Sequence, residues 1–326
     1  MSVDFNNNSL YAEFKDARPS WTLIGCALSL GIIGVFGMTF NFCVIFVTIR
    51  SKALNGTANY LLALCSFFEL LHQHGHFLFM FTAISGQNFI EYRTAATITS
   101  LSVFGLGGIA ISMFFTGIDR LFCVVAAEMH SKVDKRLYLG AITIICAIFC
   151  AMLIYTLFLT AQLLAGVMIT GCIVDIVQGP SVNFFAPTTL YINLVTSAVY
   201  AIVGIVVKMK TSSIAQSATN RRILRSLFAI IALNMGGYLL NTGYVVFLRP
   251  AVTWPVTAWF WQVITAIPLN ISAASNGPIL YFTSSEYRRE FYSAFPRVFQ
   301  KASKPTQQML LKTITLKRKV ADMPKN

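Results

Sequence analysis

Four polar side chains that could carry chemistry share one face of a predicted helix in an otherwise apolar stretch. Their offsets of three, four and seven residues place them on a single helical face, and they are Glu69, His72, Gln73 and His76. A carboxylate and two imidazoles can exchange protons, but a His-x₃-His pair with one nearby Glu supplies too few metal ligands by itself. Three interpretations stay open: polar packing between helices, a ligand-contact or proton-sensing surface, and a metal site completed by ligands from elsewhere.

A second candidate is the charge pair that ends a long apolar run. From residue 105 onward about a dozen apolar or small residues carry no charge until Asp119 and Arg120. A charged side chain costs about 2.5–3.5 kcal/mol at the centre of a membrane helix on insertion scales. We therefore expect the pair at the membrane edge, facing other protein, although an ordinary flanking pair explains these two residues equally well.

The composition identifies the elements that must position these groups. Of 326 residues, 56% are hydrophobic and 11% are charged, against about 25% charged in soluble domains. A membrane-spanning helix needs about 20 apolar residues. Seven stretches meet this requirement, at about 22–49, 58–84, 94–118, 137–165, 186–207, 226–248 and 254–282. The sequence predicts an all-α membrane protein with an extracellular tail over 1–21 and a seven-helix bundle over 22–283.

The net charge of +13 falls on one side of this predicted bundle. With the N-terminus outside, all but four of the 25 basic residues are cytoplasmic; the four are Lys15, Arg18, Arg93 and Arg249. This distribution is the positive-inside bias of membrane proteins, and it explains the net charge without a nucleic-acid partner. The basic loop between the fifth and sixth spans contains Arg222 and Arg225 and is either a solvated membrane flank or a face for an acidic cytosolic partner.

Two further patterns bear on the outer side. A glycosylation sequon begins at Asn7 on the predicted exterior, whereas the one at Asn55 falls in the cytosol and should stay unmodified. The seven cysteines lie mostly inside predicted spans and contain no CxxC, so neither metal nor thiol chemistry is indicated. Only Cys172, and with less support Cys26, can face the exterior, and the disulfide partner of Cys172 stays open.

The seventh stretch combines a kink with an amphipathic continuation. Pro268 and Pro278 each free a backbone carbonyl, which Asn276 or Tyr281 or an adjacent water can satisfy. Aromatic residues at 287, 291, 295 and 299 with basic residues between them predict a membrane-surface helix over 284–299. The remaining 300–326 is predicted to be a disordered cytoplasmic tail whose charge suits anionic lipid.

The chain resembles the rhodopsin-like G-protein-coupled receptors over nearly its whole length. The resemblance lies in seven spans with the N-terminus outside, the Asp-Arg pair at the end of the third span, and a Pro-x-x-Tyr kink that runs into an amphipathic helix. More narrowly, four segments are similar to the nematode serpentine chemoreceptors of class SX: Thr48–Lys52, Phe67–His76, Gly117–Leu121 and Pro278–Tyr281. The resemblance implies a rhodopsin-like bundle with a short eighth helix, at the plasma membrane with the N-terminus outside and in a sensory cilium. It also implies a small-molecule or odorant ligand and a heterotrimeric G protein as partners.

The resemblance assigns roles to individual residues. Asp119 and Arg120 match the receptors' Asp-Arg-Tyr motif, with Leu121 in place of Tyr, so Arg120 would engage the G protein when the cytoplasmic mouth opens. Asn276, Pro278 and Tyr281 match the Asn-Pro-x-x-Tyr switch with Gly277 inserted, and Arg222 and Arg225 would join the coupling face. Asn41 matches the first-helix Asn. Glu69 stands where the family usually has an Asp that tunes the inactive state, and with Asn41 and His72 it would form a polar network.

The chain also departs from the family pattern. The usual third-helix Cys is missing, because that region reads Thr94-Ala-Ala-Thr-Ile98. Ser102 replaces the acid of amine receptors, which argues against a cationic amine ligand. No lysine occurs between Lys210 and Lys301, which excludes a seventh-helix Schiff base to retinal.

We therefore predict a chemosensory receptor that binds a small external ligand and activates a G protein, with no cofactor. The polar residues expected near its ligand are Gln73, His76, Ser102, Tyr238, Asn241 and Gln262. The alternative is a transporter or ligand-gated cation channel that uses the Glu69/His72/His76 face, but we detect no inverted repeat. An enzyme is not indicated, because no nucleophile or cofactor motif accompanies that cluster.

Overall fold

A computed structural model describes residues 9–211, 232–233 and 235–296 of the chain. Several predictions lie outside these residues: the sequon at Asn7, the coupling-face residues Arg222 and Arg225, the last residues of the membrane-surface helix and the tail over 300–326. The described part is almost entirely helical.

The helices follow the predicted spans closely. The first, third, fourth and fifth spans are single helices, whereas the second and seventh each consist of two helices with a short break. The main elements are α1 (Ser9–Phe14), α2 (Trp21–Arg50), α3 (Thr57–Gln73), α4 (His76–Ile84), α5 (Tyr92–Val125), α6 (Ala127–Lys132), α7 (Lys135–Leu163), α8 (Ile173–Ile176), α9 (Gly179–Thr211), α10 (235–243, continued by a π-helical turn over Tyr244–Leu248), α11 (Pro255–Ala274), α12 (Asn276–Thr283) and α13 (Ser285–Ala294).

Length and composition alone identify part of this set as membrane-spanning. Within the described residues four helices, α2, α5, α7 and α9, are long and apolar enough to cross a membrane, and the bent pair α11–α12 makes a fifth. The second span falls short of the length criterion because its helix is interrupted after Gln73, and the sixth because only part of it is described. Large apolar side chains cover the outer surface of these helices, as expected for surfaces that face lipid.

The third span, α5, lies at the centre and packs against α3, α7 and α9. Gly105 brings its backbone against α3: a Cβ at this position would lie 2.5 Å from the Phe68 carbonyl oxygen and 2.6 Å from the His72 amide nitrogen. Such small residues allow helices in a membrane to approach closely. The close packing holds the polar face of α3 against the middle of the bundle.

The second span breaks between α3 and α4, at His74 and Gly75. The hydroxyl of Ser102, on α5, donates a hydrogen bond of 2.6 Å to the carbonyl of His72 near this break. Gly75 is required there because a side chain would collide with Ser102 and Ile173.

The seventh span bends by 45° between α11 and α12. Pro278 lies in the first turn of α12, where its missing N–H removes a bond to the preceding turn. The amide of Asn41, on α2, donates to the Ala273 carbonyl at 2.9 Å. The first span thus contributes a donor beside this bend.

One end of the bundle is covered by two segments. The segment 164–178, called the lid below, contains the strand Met168–Ile169, which pairs antiparallel with Ile90–Glu91, and the helix α8. Beside it α1 is fixed by Asn88, whose amide donates to the carbonyls of Phe14 and Ala17. We call this the lid end, and the opposite end, which holds Asp119, Arg120 and α13, the Asp-Arg end.

Candidate functional site

A cavity of about 60 Å³ lies under the lid, and every span except the fourth contributes to its wall. Its wall is mostly apolar, with contributions from Leu30, Leu106, Phe185 and the lid residues Cys172, Ile173, Val174 and Val177. Its polar wall residues are His72, His76, Asn241, Thr242, Gln262 and Asn270. A mostly apolar concave wall with a few convergent polar groups is typical of small-molecule sites.

Asn270 organises the histidine side of this cavity. Its amide nitrogen donates to the Ala266 carbonyl at 2.9 Å, which leaves its Oδ1 toward His76 Nε2 at 2.7 Å. Because Oδ1 only accepts, Nε2 of His76 must carry the proton, and in the neutral ring Nδ1 is then an acceptor. Within the described residues, Nδ1 of His76 and both ring nitrogens of His72 have no hydrogen-bond partner.

The opposite wall is formed by the sixth and seventh spans. Asn241 accepts a hydrogen bond of 3.2 Å from Thr265, and Thr242 donates to the carbonyl of Tyr238 at 2.7 Å. Gln262 is 5% exposed, and its Oε1 has no hydrogen-bond partner among the described residues. Polar groups buried without a partner are rare in folded proteins, and each one calls for an explanation.

The structure places three of the six predicted ligand-contact residues on this wall, namely His76, Asn241 and Gln262. The other three lie elsewhere. The hydroxyl of Ser102 is bonded to the His72 carbonyl, and the amide of Gln73 faces the Asn270 carbonyl at 3.4 Å between α3 and α2. Tyr238 lies beside Glu69, away from the cavity.

His72, predicted for the polar network, lines the cavity instead, and Asn270 was missed by the sequence reasoning. Asn270 follows Pro268 by two residues in an apolar span. A buried amide of this kind is itself a signal in a membrane helix. Counting polar residues along the seventh span would have identified it.

Glu69 is fully buried in the middle of the bundle. Its neighbours include the phenol of Tyr238 and the thiol of Cys65. Neither carboxylate oxygen of Glu69 nor the Tyr238 hydroxyl meets hydrogen-bond geometry within the described residues. Across the same described ranges, no group of three or more His, Cys, Asp or Glu side chains could hold a metal ion.

The lid is fastened to three spans by side-chain hydrogen bonds. Asp175 accepts from the backbone N–H and the hydroxyl of Thr170 and, at 2.6 Å, from the indole N–H of Trp259 on α11. Burial raises the pKa of Asp175, and these hydrogen bonds oppose that shift. Thr82 donates to the Thr170 carbonyl and Tyr92 to the Ile176 carbonyl, each at 2.5 Å, so α4 and α5 hold the lid as well.

Cys172 lies within the lid as a buried free thiol. Cys26 is near enough to influence it electrostatically and is also free, so the structure contains no disulfide at this position. Burial raises the pKa of the Cys172 thiol well above its ordinary value. The lid is therefore held by hydrogen bonds and packing.

At the Asp-Arg end, Asp119 is the centre of a closed cluster. It is completely buried and accepts from Arg120 at 2.8 Å and from His130 Nε2 at 3.0 Å. The imidazole of His130 packs edge-on against Phe122 and Tyr138. The sequence reasoning did not assign His130 a role; it lies on α6, eleven residues after Asp119.

The first and seventh spans meet at the predicted switch residues. Asn41 is buried and donates to the carbonyls of Gly37 and Ala273, each at 2.9 Å, while Asn276 donates to Asn41 Oδ1 at 3.3 Å. Farther along α12, the Tyr281 hydroxyl donates to that of Tyr292 on α13 at 3.0 Å. These contacts tie the bent span to the first span and to α13.

The chain matches one known protein family. A family profile described as serpentine type 7TM GPCR chemoreceptor Srsx matches residues 32–295, which is more than half of the chain. No curated protein matches the sequence. The matched range includes the cavity, the lid and the Asp119 cluster.

Proposed function

Since the chain belongs to the Srsx family of serpentine seven-transmembrane chemoreceptors, we propose that it binds a small external ligand in the cavity and activates a heterotrimeric G protein at the Asp-Arg end. The protein is a multi-pass membrane protein of a receptor family, not of an enzyme class. In this proposal the lid end faces the exterior, the Asp-Arg end faces the cytosol, and the receptor acts at the plasma membrane of a sensory cell, in its cilium.

The observation that carries the proposal is the closed cluster around Asp119. The guanidinium of Arg120 is held by a buried carboxylate that also binds His130. An arginine in this position is withheld from any partner until the cluster opens. The predicted roles of Asp119 and Arg120 in coupling fit this arrangement, and Arg222 and Arg225 of the basic loop would extend the same face.

The cavity is connected to that cluster through shared helices. The third span lines the cavity with Leu106 and carries Asp119 farther along, and the seventh span carries Asn270 and then the bend at Ser275. The contacts of Asn41, Asn276, Pro278 and Tyr281 lie between these two regions. A ligand that binds the open form more tightly than the closed form would shift the population toward the open form.

The proposal is tested by nucleotide exchange on a G protein in membranes that contain the receptor. A ligand screen with a permissive G protein supplies the stimulus, and Arg120→Ala should abolish stimulated exchange while ligand binding persists. The matched control is Arg93→Ala, which removes an exposed arginine at the lid end of the same helix. Normal signalling by Arg120→Ala that still binds ligand would refute the proposal.

The orientation is tested independently at the two sequons. Asn7 should be glycosylated and Asn55 should not, so Asn7→Gln should abolish the mobility shift on glycosidase treatment while Asn55→Gln leaves it unchanged. Glycosylation at Asn55 would place the Asp-Arg end outside the cell and contradict the proposed direction of signalling.

A further inference from the structure

The wall of the cavity contains no charged side chain among the residues that the structure describes. The nearest lid carboxylate, Asp175, already accepts three hydrogen bonds and does not line the cavity. A charged ligand would therefore be buried without a counter-ion, which is costly in an apolar environment. The wall favours an uncharged ligand.

The fully buried polar atoms of the wall that have no hydrogen-bond partner among the described residues are mainly acceptors. Gln262 Oε1 accepts only, and Nδ1 of His76 is an acceptor in the neutral ring, because Nε2 carries the proton toward Asn270. The neutral ring of His72 adds one donor and one acceptor, neither of which meets hydrogen-bond geometry with a group among the described residues. Among these fully buried atoms three acceptors face one donor, so a ligand that satisfies all of them must itself donate a hydrogen bond.

The volume sets the size of the ligand in this conformation. One water molecule needs roughly 10–15 Å³ of cavity volume, and this cavity measures about 60 Å³. It therefore admits about four to six groups of water size. The remaining wall is apolar, with Leu106, Phe185 and Leu269 among its members.

We propose that the ligand of this cavity is a small uncharged molecule of the alcohol class, whose hydroxyl is held between His72 and Gln262 and whose short alkyl chain lies against the apolar wall. The proposal rests on the proposed function, in which this cavity is the ligand site. A hydroxyl both donates and accepts, so it serves the acceptor of Gln262 and the imidazole of His72 together. A ketone of the same size only accepts, from His72 or from the Gln262 amide N–H, and leaves the buried Oε1 of Gln262 without a donor.

The test measures direct binding to the full-length receptor in lipid nanodiscs by ligand-observed NMR, with empty nanodiscs to subtract partitioning into lipid. Four probes have five non-hydrogen atoms each: 1-butanol, 2-butanone, butylammonium and propionate. Ligands of this size bind no tighter than roughly micromolar. We expect 1-butanol to bind about 3- to 10-fold more tightly than 2-butanone, the effect of one net hydrogen bond.

Variants locate the preference on the wall. His72→Phe and Gln262→Leu should each lower the butanol-to-butanone ratio toward one, whereas His72→Gln, which keeps a donor and an acceptor, should retain most of it. His74→Phe is the matched control, because the same replacement two residues away leaves the cavity wall unchanged. If His72→Phe does not fold, Gln262→Leu carries the test on the opposite wall.

Four results would overturn the proposal: equal binding of butanol and butanone, stronger binding of butylammonium or propionate, a preference that survives both wall variants, or no binding of any probe. No G protein enters this measurement. Butanol binding without nucleotide exchange would thus refute the proposed function alone, and exchange driven by a charged ligand would refute this inference alone.

Discussion

The buried carboxylate at the Asp-Arg end and the cavity wall beneath the lid differ in how their polar groups are paired. At the Asp-Arg end the buried carboxylate of Asp119 is paired with both Arg120 and His130. Beneath the lid, His72 and Gln262 are just as deeply buried, yet His72 has no hydrogen-bond partner for either ring nitrogen and Gln262 none for Oε1 within the described residues. Removing one partner of a buried pair is costly, whereas replacing a lone polar group costs little. The Asp-Arg end is therefore stable when closed, and the cavity is stabilised by what it binds.

The largest effect that tests this contrast is expected from Asp119→Asn. The change removes the charge that holds Arg120 and His130 but keeps the shape of the side chain. Hydrogen bonds to charged groups contribute about 1.5–3 kcal/mol, so the closed form should lose roughly 10- to 100-fold in population. Basal nucleotide exchange should rise accordingly. Asp134→Asn is the control, because Asp134 is exposed and serves only as the N-cap of α7. Unchanged basal exchange would mean that the pair does not restrain the receptor.

A smaller loss should follow when the lid is loosened by Trp259→Phe. The indole N–H donates to Asp175 at 2.6 Å, and the variant leaves that carboxylate with one donor fewer. We expect about 1.5–3 kcal/mol less stability, read as a lower midpoint of thermal unfolding. Trp254→Phe is the matched control, because Trp254 is 73% exposed. Equal midpoints for the two variants would show that the bond to Asp175 does not hold the lid.

At the Asp-Arg end, His130→Phe should have a more modest effect than loss of Asp119. It removes one of the two donors to the carboxylate while keeping an aromatic ring between Phe122 and Tyr138. Basal exchange should rise by up to about tenfold, and His130→Gln, which restores a donor, should reverse part of the increase. A His130→Phe receptor with wild-type basal exchange would leave Arg120 as the only partner that matters.

The sequence predicted the fold better than it predicted the site. The apolar stretches gave the helices because twenty apolar residues in a row have few alternatives in a membrane. Asp119 and Arg120 were expected to face protein, and the buried position of Asp119 agrees with that expectation. The family match confirms the serpentine receptor class and the seven-helix membrane fold that the motifs suggested.

The wall of the cavity was harder to predict because it depends on helix phase and on a local break. Ser102 was expected near the ligand, but next to the interruption at His74 and Gly75 its hydroxyl donates to the His72 carbonyl, which also accepts from the Gly75 N–H. Periodicity along an uninterrupted helix cannot show such a break. Asn270 was missed for a different reason: its importance comes from its bond to His76, a contact across 194 residues of sequence.

The finest test of the contrast is Gln262→Leu, for which we expect the opposite sign from the other variants. Gln262 is 5% exposed, and its Oε1 has no partner among the described residues, so the wild-type protein carries the cost of burying it. Leucine of similar size removes that atom and adds apolar contact. Without ligand, the unfolding midpoint should therefore stay equal or rise, by no more than about 1 kcal/mol of stability. Gln73→Leu is the comparison on the other face of the bundle: its Oε1 also lacks a partner among the described residues, but its amide donates to the Asn270 carbonyl, and loss of that bond should lower the midpoint. A marked fall for Gln262→Leu would mean that this side chain is satisfied within the protein, and the distinction between the two ends would no longer hold.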